Sequence, residues 1–257
     1  MKRRNFIRTA GLLAAVPAVS SMAAVSNSLQ SKEKEIYEWR IYTLTGDGKP
    51  LDDFLEKTLI PAYNRKGVKS GAFKLYKPEE KELRYLLFVY PNLATYQKIK
   101  REIWNDAVFR KDAQPFYDAS AAKLVYSNFE TFLCEAFDKV PVMRTPDKSR
   151  SLFEIRIYWS PNEEANQRKI KMFNVDEISV FDAAGVNSVC YGEVLAGPRM
   201  PALVYLTWAK DEPTRNAAWA AFEKHPEWNR IKGLPEYART AVNNTNRLLS
   251  PMPYSQI

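Results

Sequence analysis

The sequence is poor in glycine, cysteine and histidine, and each shortage excludes a class of site. Only 9 of its 257 residues are glycine, which argues against collagen, flexible low-complexity sequence and a glycine-loop nucleotide fold. A single histidine cannot form a multi-histidine metal site, and the two cysteines are not spaced as zinc ligands. There is also no P-loop, GxSxG or HExxH motif. We therefore predict no metal and no cofactor.

Long apolar runs are scarce too, and the one near the amino terminus has the pattern of an export signal. Basic residues at 2–4, which resemble a twin-arginine signal, precede the apolar run 10–19, and the small residues Ser21 and Ala23 follow it. The run is too short to span a bilayer comfortably. We expect residues 1–24 to be a cleaved signal peptide and the protein to reside in the periplasm. An uncleaved anchor or a mitochondrial presequence is the alternative.

The positive charge of the chain is concentrated in that segment. The net charge is +8, and four basic residues lie within the first eight positions, so the remainder carries +4. No later stretch contains five like charges in a row. We therefore predict no nucleic-acid partner. No other stretch is long and apolar enough to predict a membrane span.

The chain after residue 35 contains an internal duplication. Residues 37–42, Y-E-W-R-I-Y, are matched by residues 153–158, F-E-I-R-I-Y, at an offset of 116. Other anchors keep nearly this offset; they are Gly67 with Gly185 and Tyr85 with Tyr205. A period this long does not suit a solenoid and indicates a duplicated domain.

Each copy predicts the element order β-α-β-β-α-β. Alternating polarity with aromatic and β-branched residues predicts strands, and apolar residues at helical spacing predict helices. This order is the ferredoxin-like motif, in which both helices cover one face of a four-stranded antiparallel sheet. The bare faces of two such sheets can cover each other. We predict an α+β fold in which two tandem ferredoxin-like repeats pack sheet to sheet as a pseudo-dimeric α/β barrel.

The domain boundaries follow from the repeat. We assign residues 36–139 and 151–257 to the two ferredoxin-like domains and the proline-containing segment 140–150 to the linker between them. Residues 25–35 are expected to be a disordered linker. The second helix of the first domain is expected to bury an apolar stripe that includes Trp104.

The duplicated strand separates an apolar set of side chains from a polar set. The apolar set is Tyr37, Trp39 and Ile41 with Phe153, Ile155 and Ile157; the polar set is Glu38, Arg40 and Tyr42 with Glu154, Arg156 and Tyr158. We expect the apolar set to lie under helices and the polar set to point into the barrel. A buried carboxylate needs a partner, so we expect Glu–Arg pairs. Such a cluster is either a pocket in which arginine holds an anion or a self-satisfied ion-pair network.

Five further residues carry predictions. Tyr191 and Glu193, on a strand of the second copy, are candidates for the pocket wall, although Glu193 also suits a surface position. His225 precedes a proline and is expected to end a helix. Cys134 and Cys190 lie on strands that should neighbour each other in a closed barrel. We expect two buried free thiols, with a disulfide as the alternative.

Taken together, these motifs resemble the NIPSNAP family over about residues 36–257. The resemblance rests on the duplicated E-x-R-x-Y strand and on Ile60-Pro61-Ala62-Tyr63-Asn64, Tyr191-Gly192-Glu193, Trp219-x-x-Phe222 with Pro226-Glu227-Trp228, and the terminal Pro253-Tyr254-Ser255-Gln256-Ile257. It implies a dimeric α/β-barrel fold, whose superfamily includes small monooxygenases and haem-degrading enzymes. It supplies no agreed catalytic residues, and the first copy lacks the Pro-Glu-Trp step.

Two functions from different classes agree with this sequence. The first is the binding or transformation of a small anionic or phenolic molecule inside the barrel, and whether chemistry occurs stays open. The second is a non-catalytic protein-interaction module with a solid barrel. A haem-binding or haem-degrading barrel that uses His225 is a weaker third. A cavity between the sheets favours the first function, and a filled interior with an exposed apolar patch favours the second. A homo-oligomer is compatible with each.

Overall fold

Strands and helices follow the predicted order in both repeats. The computed structural model describes residues 33–257, so the predicted signal peptide and residues 25–32 of the expected linker lie outside the described residues. The strands are β1 Ile36–Leu44, β2 Lys69–Leu75, β3 Leu83–Tyr90, β4 Tyr126–Ala136, β5 Leu152–Trp159, β6 Asn187–Ala196, β7 Ala202–Ala209 and β8 Asn243–Pro251. No helix within residues 33–257 is long and apolar enough to cross a membrane.

The helices of the two repeats share a π-helical turn. The α-helices are α1 Lys49–Phe54, α2 Ile60–Asn64, α3 Leu93–Glu102, α4 Ala107–Ala122, α5 Glu163–Met172, α6 Ile178–Ala184, α7 Glu212–Lys224 and α8 Pro226–Ile231. A π-helical turn joins α1 to α2 at Leu55–Leu59, and another joins α5 to α6 at Phe173–Glu177. The repeats therefore share even this irregularity, which is frequent at functional sites.

The eight strands close into one antiparallel barrel. Their order is β1-β3-β2-β8-β5-β7-β6-β4, so the four strands of each repeat are contiguous. The repeats join where β2 meets β8 and where β4 meets β6, and both joins are short. β2 pairs with β8 only over Phe73–Leu75, and β4 pairs with β6 only over Leu133–Ala136. The predicted pseudo-dimeric α/β barrel of two ferredoxin-like repeats is confirmed.

The barrel interior is apolar, and this reverses the predicted orientation of the duplicated strands. Trp39 and Ile155, each 1% exposed, lie in one core cluster that draws on both repeats. The polar set faces the helices instead. The strands surround the interior on all sides with apolar side chains, so a charge placed there would have no partner. Helices cover the outer face, and their side chains can supply partner charges at the layer edge.

Large side chains fill this interior. Its buried members are Tyr37, Trp39, Phe73, Leu75, Tyr85, Leu87, Val89, Phe132, Cys134, Ala136, Phe153, Ile155, Ile157, Val189, Cys190, Val194, Ala202, Val204, Leu206, Leu249 and Ile257. The ring centroids of Phe73 and Phe153, one from each repeat, are 4.9 Å apart. The predicted polar pocket at the barrel centre is therefore wrong, because apolar side chains occupy that space.

Cys134 and Cys190 both lie in this interior as free thiols, as expected. Their strands are neighbours, since Cys134 pairs with Val194 of β6. Burial raises the pKa of both thiols, which keeps them protonated and unreactive. We expect Ellman's reagent to detect neither thiol in the native protein and both after denaturation. Rapid reaction of the folded chain would contradict this buried position.

The terminal motif and the residue before it are hydrogen-bonded to β2 of the first repeat. The Met252 N–H donates to the Ala72 carbonyl at 2.8 Å, and the Gln256 N–H donates to the Ser70 carbonyl at 3.0 Å. Ile257 then enters the barrel core and is 1% exposed. The motif that contributes to the family resemblance therefore continues the hydrogen bonding of β2 and closes one end of the barrel.

The linker and the segment before β1 are also hydrogen-bonded to the barrel. The Arg144 N–H donates to the Val189 carbonyl at 2.8 Å. The Glu35 N–H donates to the Pro141 carbonyl at 2.9 Å, and its carboxylate accepts from the Met143 N–H at 2.6 Å. Residue 35, which the sequence assigns to a disordered linker, is thus held against the segment that joins the repeats.

Candidate functional site

Two polar clusters lie on the outer face of the sheet, one under the helices of each repeat. The first-repeat cluster is Glu38, Arg40, Tyr42, Tyr63, Tyr90 and Lys100; the second-repeat cluster is Glu154, Arg156, Tyr158, Lys169, Glu177, Tyr205, Arg215 and Trp219. The structure therefore keeps each predicted Glu-Arg-Tyr set in its own repeat. The two sets do not face one another, because the apolar barrel core lies between them.

In the second repeat, Glu154 connects the sheet to the second helix. Arg156 donates to its carboxylate at 2.7 Å. Arg215 and Trp219, both on α7, donate to it at 2.9 Å each. The guanidinium carbon of Arg156 also lies 3.7 Å from the ring centroid of Trp219. The expected pairing within the strand is present, and Glu154 additionally holds α7 against the sheet.

Glu38 has the equivalent role in the first repeat. It accepts hydrogen bonds from Arg40 at 2.9 Å, Lys100 at 3.1 Å and Tyr90 at 2.6 Å. Burial acts to raise its pKa, but the positive charges of Arg40 and Lys100 outweigh burial, and the pKa is lowered. Lys100 occupies the helix position that Trp219 occupies in the second repeat, eight residues after the N-cap. A glutamate that anchors the second helix is thus common to both repeats.

A buried ion pair distinguishes the second-repeat cluster. The Lys169 ammonium lies 3.1 Å from the Glu177 carboxylate, and the side chains are 10% and 4% exposed. The pair spans the π-helical turn between α5 and α6. Leu51 and Leu59 occupy the same positions around the turn of the first repeat, and both are buried. Burial raises the pKa of Glu177, although Lys169 opposes this. The first repeat has leucine at both positions, so the fold does not require this ion pair, whose burial is costly.

Tyrosine hydroxyls extend this cluster from the ion pair toward Arg156. Arg156 donates to the Tyr158 hydroxyl at 3.2 Å, and that hydroxyl lies 3.0 Å from the hydroxyl of Tyr205. The Lys169 ammonium is 5.7 Å from the centroid of the Tyr158 ring. Burial raises the pKa of Tyr205 well above its usual range, so its hydroxyl stays protonated. The cluster is therefore a series of closely spaced proton donors, with the Glu154 carboxylate at one end and the Glu177 carboxylate at the other.

The sequence offset matches Tyr205 with Tyr85, and this match is wrong by one residue. The strand registers pair Arg156 with Tyr205 and Arg40 with Leu86. Tyr85 therefore points into the barrel and Tyr205 points to the helices. A slip of one residue moves a side chain to the opposite face. For this reason the sequence offset does not show that Tyr205 stands where the first repeat has Leu86.

The second-repeat cluster opens to solvent at Tyr158. In the first repeat Tyr42 is 3% exposed, and the centroid of its ring is 4.9 Å from that of Phe129, its neighbour on β4. Asn244 occupies the position of Phe129 beside Tyr158. Tyr158 and Arg156 are accordingly half-buried. This end of the second-repeat cluster is therefore partly exposed to solvent, whereas its counterpart in the first repeat is buried.

Comparison with known proteins distinguishes the two repeats. Residues 153–256 match the model of the NIPSNAP family. This segment is the second repeat, which holds the buried ion pair and the half-buried Tyr158. No curated protein matches the sequence.

Two solved structures share the fold over 85% of this chain, and a third match covers less than half of it. A candidate monooxygenase from Lactobacillus acidophilus is 9% identical, with 85% of this chain and 94% of that chain covered and a TM-score of 0.56. A candidate monooxygenase from Fusobacterium nucleatum is 8% identical, with 85% and 93% covered and a TM-score of 0.53. A NIPSNAP family protein of unknown function from Agrobacterium tumefaciens is 19% identical, covering 45% of this chain and 98% of that chain, with a TM-score of 0.38.

The two remaining candidates for a pocket wall lie on the outer face of the NIPSNAP-matching repeat. Tyr191 is fully buried, and its ring stacks on Tyr205 with centroids 5.5 Å apart. Glu193 is half-buried and accepts a hydrogen bond from Gln167 at 2.6 Å. Tyr191 thus packs beside Tyr205 on the neighbouring strand, whereas Glu193 forms a hydrogen bond with a side chain of α5.

His225 ends α7 and begins α8, as expected for a residue before proline. Its Nδ1 accepts a hydrogen bond from the Glu227 N–H at 3.3 Å, which caps α8. Residues 33–257 contain no group of three or more histidine, cysteine, aspartate or glutamate side chains that could hold a metal ion.

Lys169 and Glu177 of the NIPSNAP-matching repeat were not predicted from the sequence. The duplication was traced through strands and turns, where the two copies are most alike. The signal for these residues is a charge on the apolar stripe of a helix at positions where the other copy carries leucine. Comparing the helices position by position would have found it.

Proposed function

We propose that the NIPSNAP-matching repeat binds a small anionic or phenolic molecule at the Arg156 and Tyr158 end of the second-repeat cluster. The observation that supports this proposal is the internal comparison. Lys169, Glu177 and Tyr205 stand where the first repeat has leucines, and burying such groups costs stability that the fold does not require. The proposed site lies between the sheet and its helices, not inside the barrel.

The chemistry of the cluster suits such a ligand. Arg156 is fixed by Glu154 and by the Trp219 ring, so its guanidinium is preorganised to bind an anion. Tyr158 offers a hydroxyl that a phenol can hydrogen-bond. The ion pair behind it places an ammonium near the same ring, and an ammonium–carboxylate pair beside a bound phenol is also suited to proton transfer.

The remaining expectations about identity and location are part of the same proposal. We take the first repeat to be a diverged NIPSNAP-type domain, since it shares the E-x-R-x-Y strand, the element order and the π-helical turn. We also take the chain to be exported to the periplasm, with residues 1–24 as a twin-arginine-type signal. The basic and apolar pattern of these residues supports the export route.

Covering Tyr158 is expected to weaken ligand binding. Asn244→Phe copies the aromatic cover of the first repeat at an exposed position, so it should weaken binding of 4-nitrophenol and benzoate by at least about tenfold. Binding is measured by equilibrium titration, and native mass spectrometry of protein from its own host identifies any retained molecule. The matched control Phe129→Asn uncovers the first-repeat cluster and should leave affinity unchanged. Equal affinity in both variants would refute the site.

A non-catalytic interaction role is the second candidate function. The filled barrel favours it, as does the exposure of the aromatic side chains Tyr76, Trp104 and Phe129 on the first repeat. The two roles are compatible, because the proposed ligand site lies in the second repeat and these exposed aromatic side chains lie in the first.

A further inference from the structure

The first repeat exposes apolar side chains at positions where the second carries polar ones. The exposed residues are Trp104 at 55%, Val108 at 55% and Phe129 at 42%, and their equivalents are Glu223, Glu227 and Asn244. The expectation that Trp104 is buried is wrong. Phe109, which is 2% exposed, takes the buried position, and the Trp104 ring packs over it at a centroid distance of 5.7 Å.

The first half of β4 is also an unpaired strand edge. β4 pairs with β1 from Tyr126 to Glu135 but with β6 only over Leu133–Ala136. On that side, residues 126–132 have no strand neighbour among the described residues. The segment reads Y-S-N-F-E-T-F and contains no lysine, arginine or proline, which commonly protect such edges. We name residues 126–132 the β4 edge.

The equivalent edge of β8 is protected. β8 pairs with β2 only over Leu249–Pro251, so the start of β8 is open as well. Residues 243–247 read N-N-T-N-R, and Arg247 is held by Glu79 at 2.9 Å. The barrel thus leaves two open edges by symmetry, and only the β4 edge combines free backbone groups with an exposed aromatic residue.

We propose that the β4 edge pairs with the β4 edge of a second copy of this chain, which makes a two-fold dimer. Antiparallel pairing about a two-fold axis must centre on one residue, and the midpoint of residues 126–132 is Phe129. This register places the two Phe129 rings opposite each other as a cross-strand aromatic pair. It places Glu130 opposite Asn128 of the second copy, so no like charges meet.

The partner is a second copy because the edge is complementary to itself. Seven residues of paired strand extend about 23 Å, and both Phe129 rings leave water. This contact is near the small end of stable interfaces. We therefore expect a dissociation constant in the micromolar range and a concentration-dependent mass.

Sedimentation velocity tests the dimer with the full chain. Between about 1 and 100 μM the wild-type protein should shift from one copy to two. Phe129→Lys adds a charge to the edge and should weaken association by at least about tenfold. Asn244→Lys, at the equivalent position of β8, should behave as wild type. A wild-type chain that stays monomeric at the highest concentration overturns the proposal.

A cross-link separates loss of pairing from loss of folding, because Phe129 also packs against Tyr42. In the proposed register two Phe129→Cys side chains face each other at a distance that a disulfide can span. Mild oxidation should yield a covalent dimer of Phe129→Cys and none of Asn244→Cys, and the two native thiols are buried. Equal cross-linking of the two variants would also overturn the proposal.

Discussion

Replacing Lys169 with leucine is expected to lower the free energy of unfolding by about 3–5 kcal/mol. The substitution leaves the buried carboxylate of Glu177 without its partner. Glu177→Leu alone should lower the free energy of unfolding by a similar amount, because it leaves the Lys169 ammonium buried without a partner. The double variant places leucine at both positions, as the first repeat does with Leu51 and Leu59. We expect the double variant to be at least as stable as wild type.

Guanidinium unfolding of the four proteins measures this cycle, and the coupling between the two sites is its result. Lys171→Leu is the matched control, because this lysine is on the same helix but its contact with Glu236 is exposed. It should change stability by about 0.5 kcal/mol or less. If the losses at Lys169 and Glu177 simply add, the pair is not the coupled unit described above. If the double variant keeps full affinity for the phenolic probes, the pair has no role in binding.

Replacing Trp39 with alanine is expected to cost about 3–5 kcal/mol. Trp39 is 1% exposed in the barrel core, and its ring neighbours Phe73 at a centroid distance of 6.3 Å. The barrel wall cannot collapse freely into the space, because the strands are hydrogen-bonded on both sides. The resulting cavity is apolar, so it should stay dry and accept benzene, as apolar cavities in protein cores do.

Chemical unfolding with and without benzene tests this prediction, and benzene should raise the stability of the Trp39→Ala variant only. Trp104→Ala removes the same side chain from an exposed position and should cost no more than about 1 kcal/mol. A small loss at Trp39, with no effect of benzene, would mean that the barrel interior is loosely packed. The ligand pocket first predicted there would then need to be reconsidered.

The duplication carried most of the fold prediction. Strand and helix periodicities are local, and each ambiguous segment was supported by its counterpart about 117 residues away. Two ferredoxin-like sheets can bury their bare faces in few ways, and packing these faces against each other predicts the closed barrel. The pairing of Glu38 with Arg40 was predictable for the same local reason, since both residues lie on one face of one strand.

The orientation of the duplicated strand was not predictable from its pattern. Both faces of β1 are buried, because helices cover one side and the opposite sheet covers the other. Alternation separates two faces but does not say which is inside. The deciding partners, Lys100 and Arg215, lie far along the chain on helices, and the sequence does not show that they reach the strand.

The sequence alone therefore determined the repeat, the element order, the barrel and the residues of the E-x-R-x-Y sets. Tertiary structure decided which way those sets point, which repeat opens to solvent and which strand edge stays unpaired. The physical reason is that periodicity reports the geometry of one segment. A charge such as Lys169 is placed by a π-helical turn and by a partner eight residues away, and an edge such as β4 is left open by the lengths of strands in another repeat.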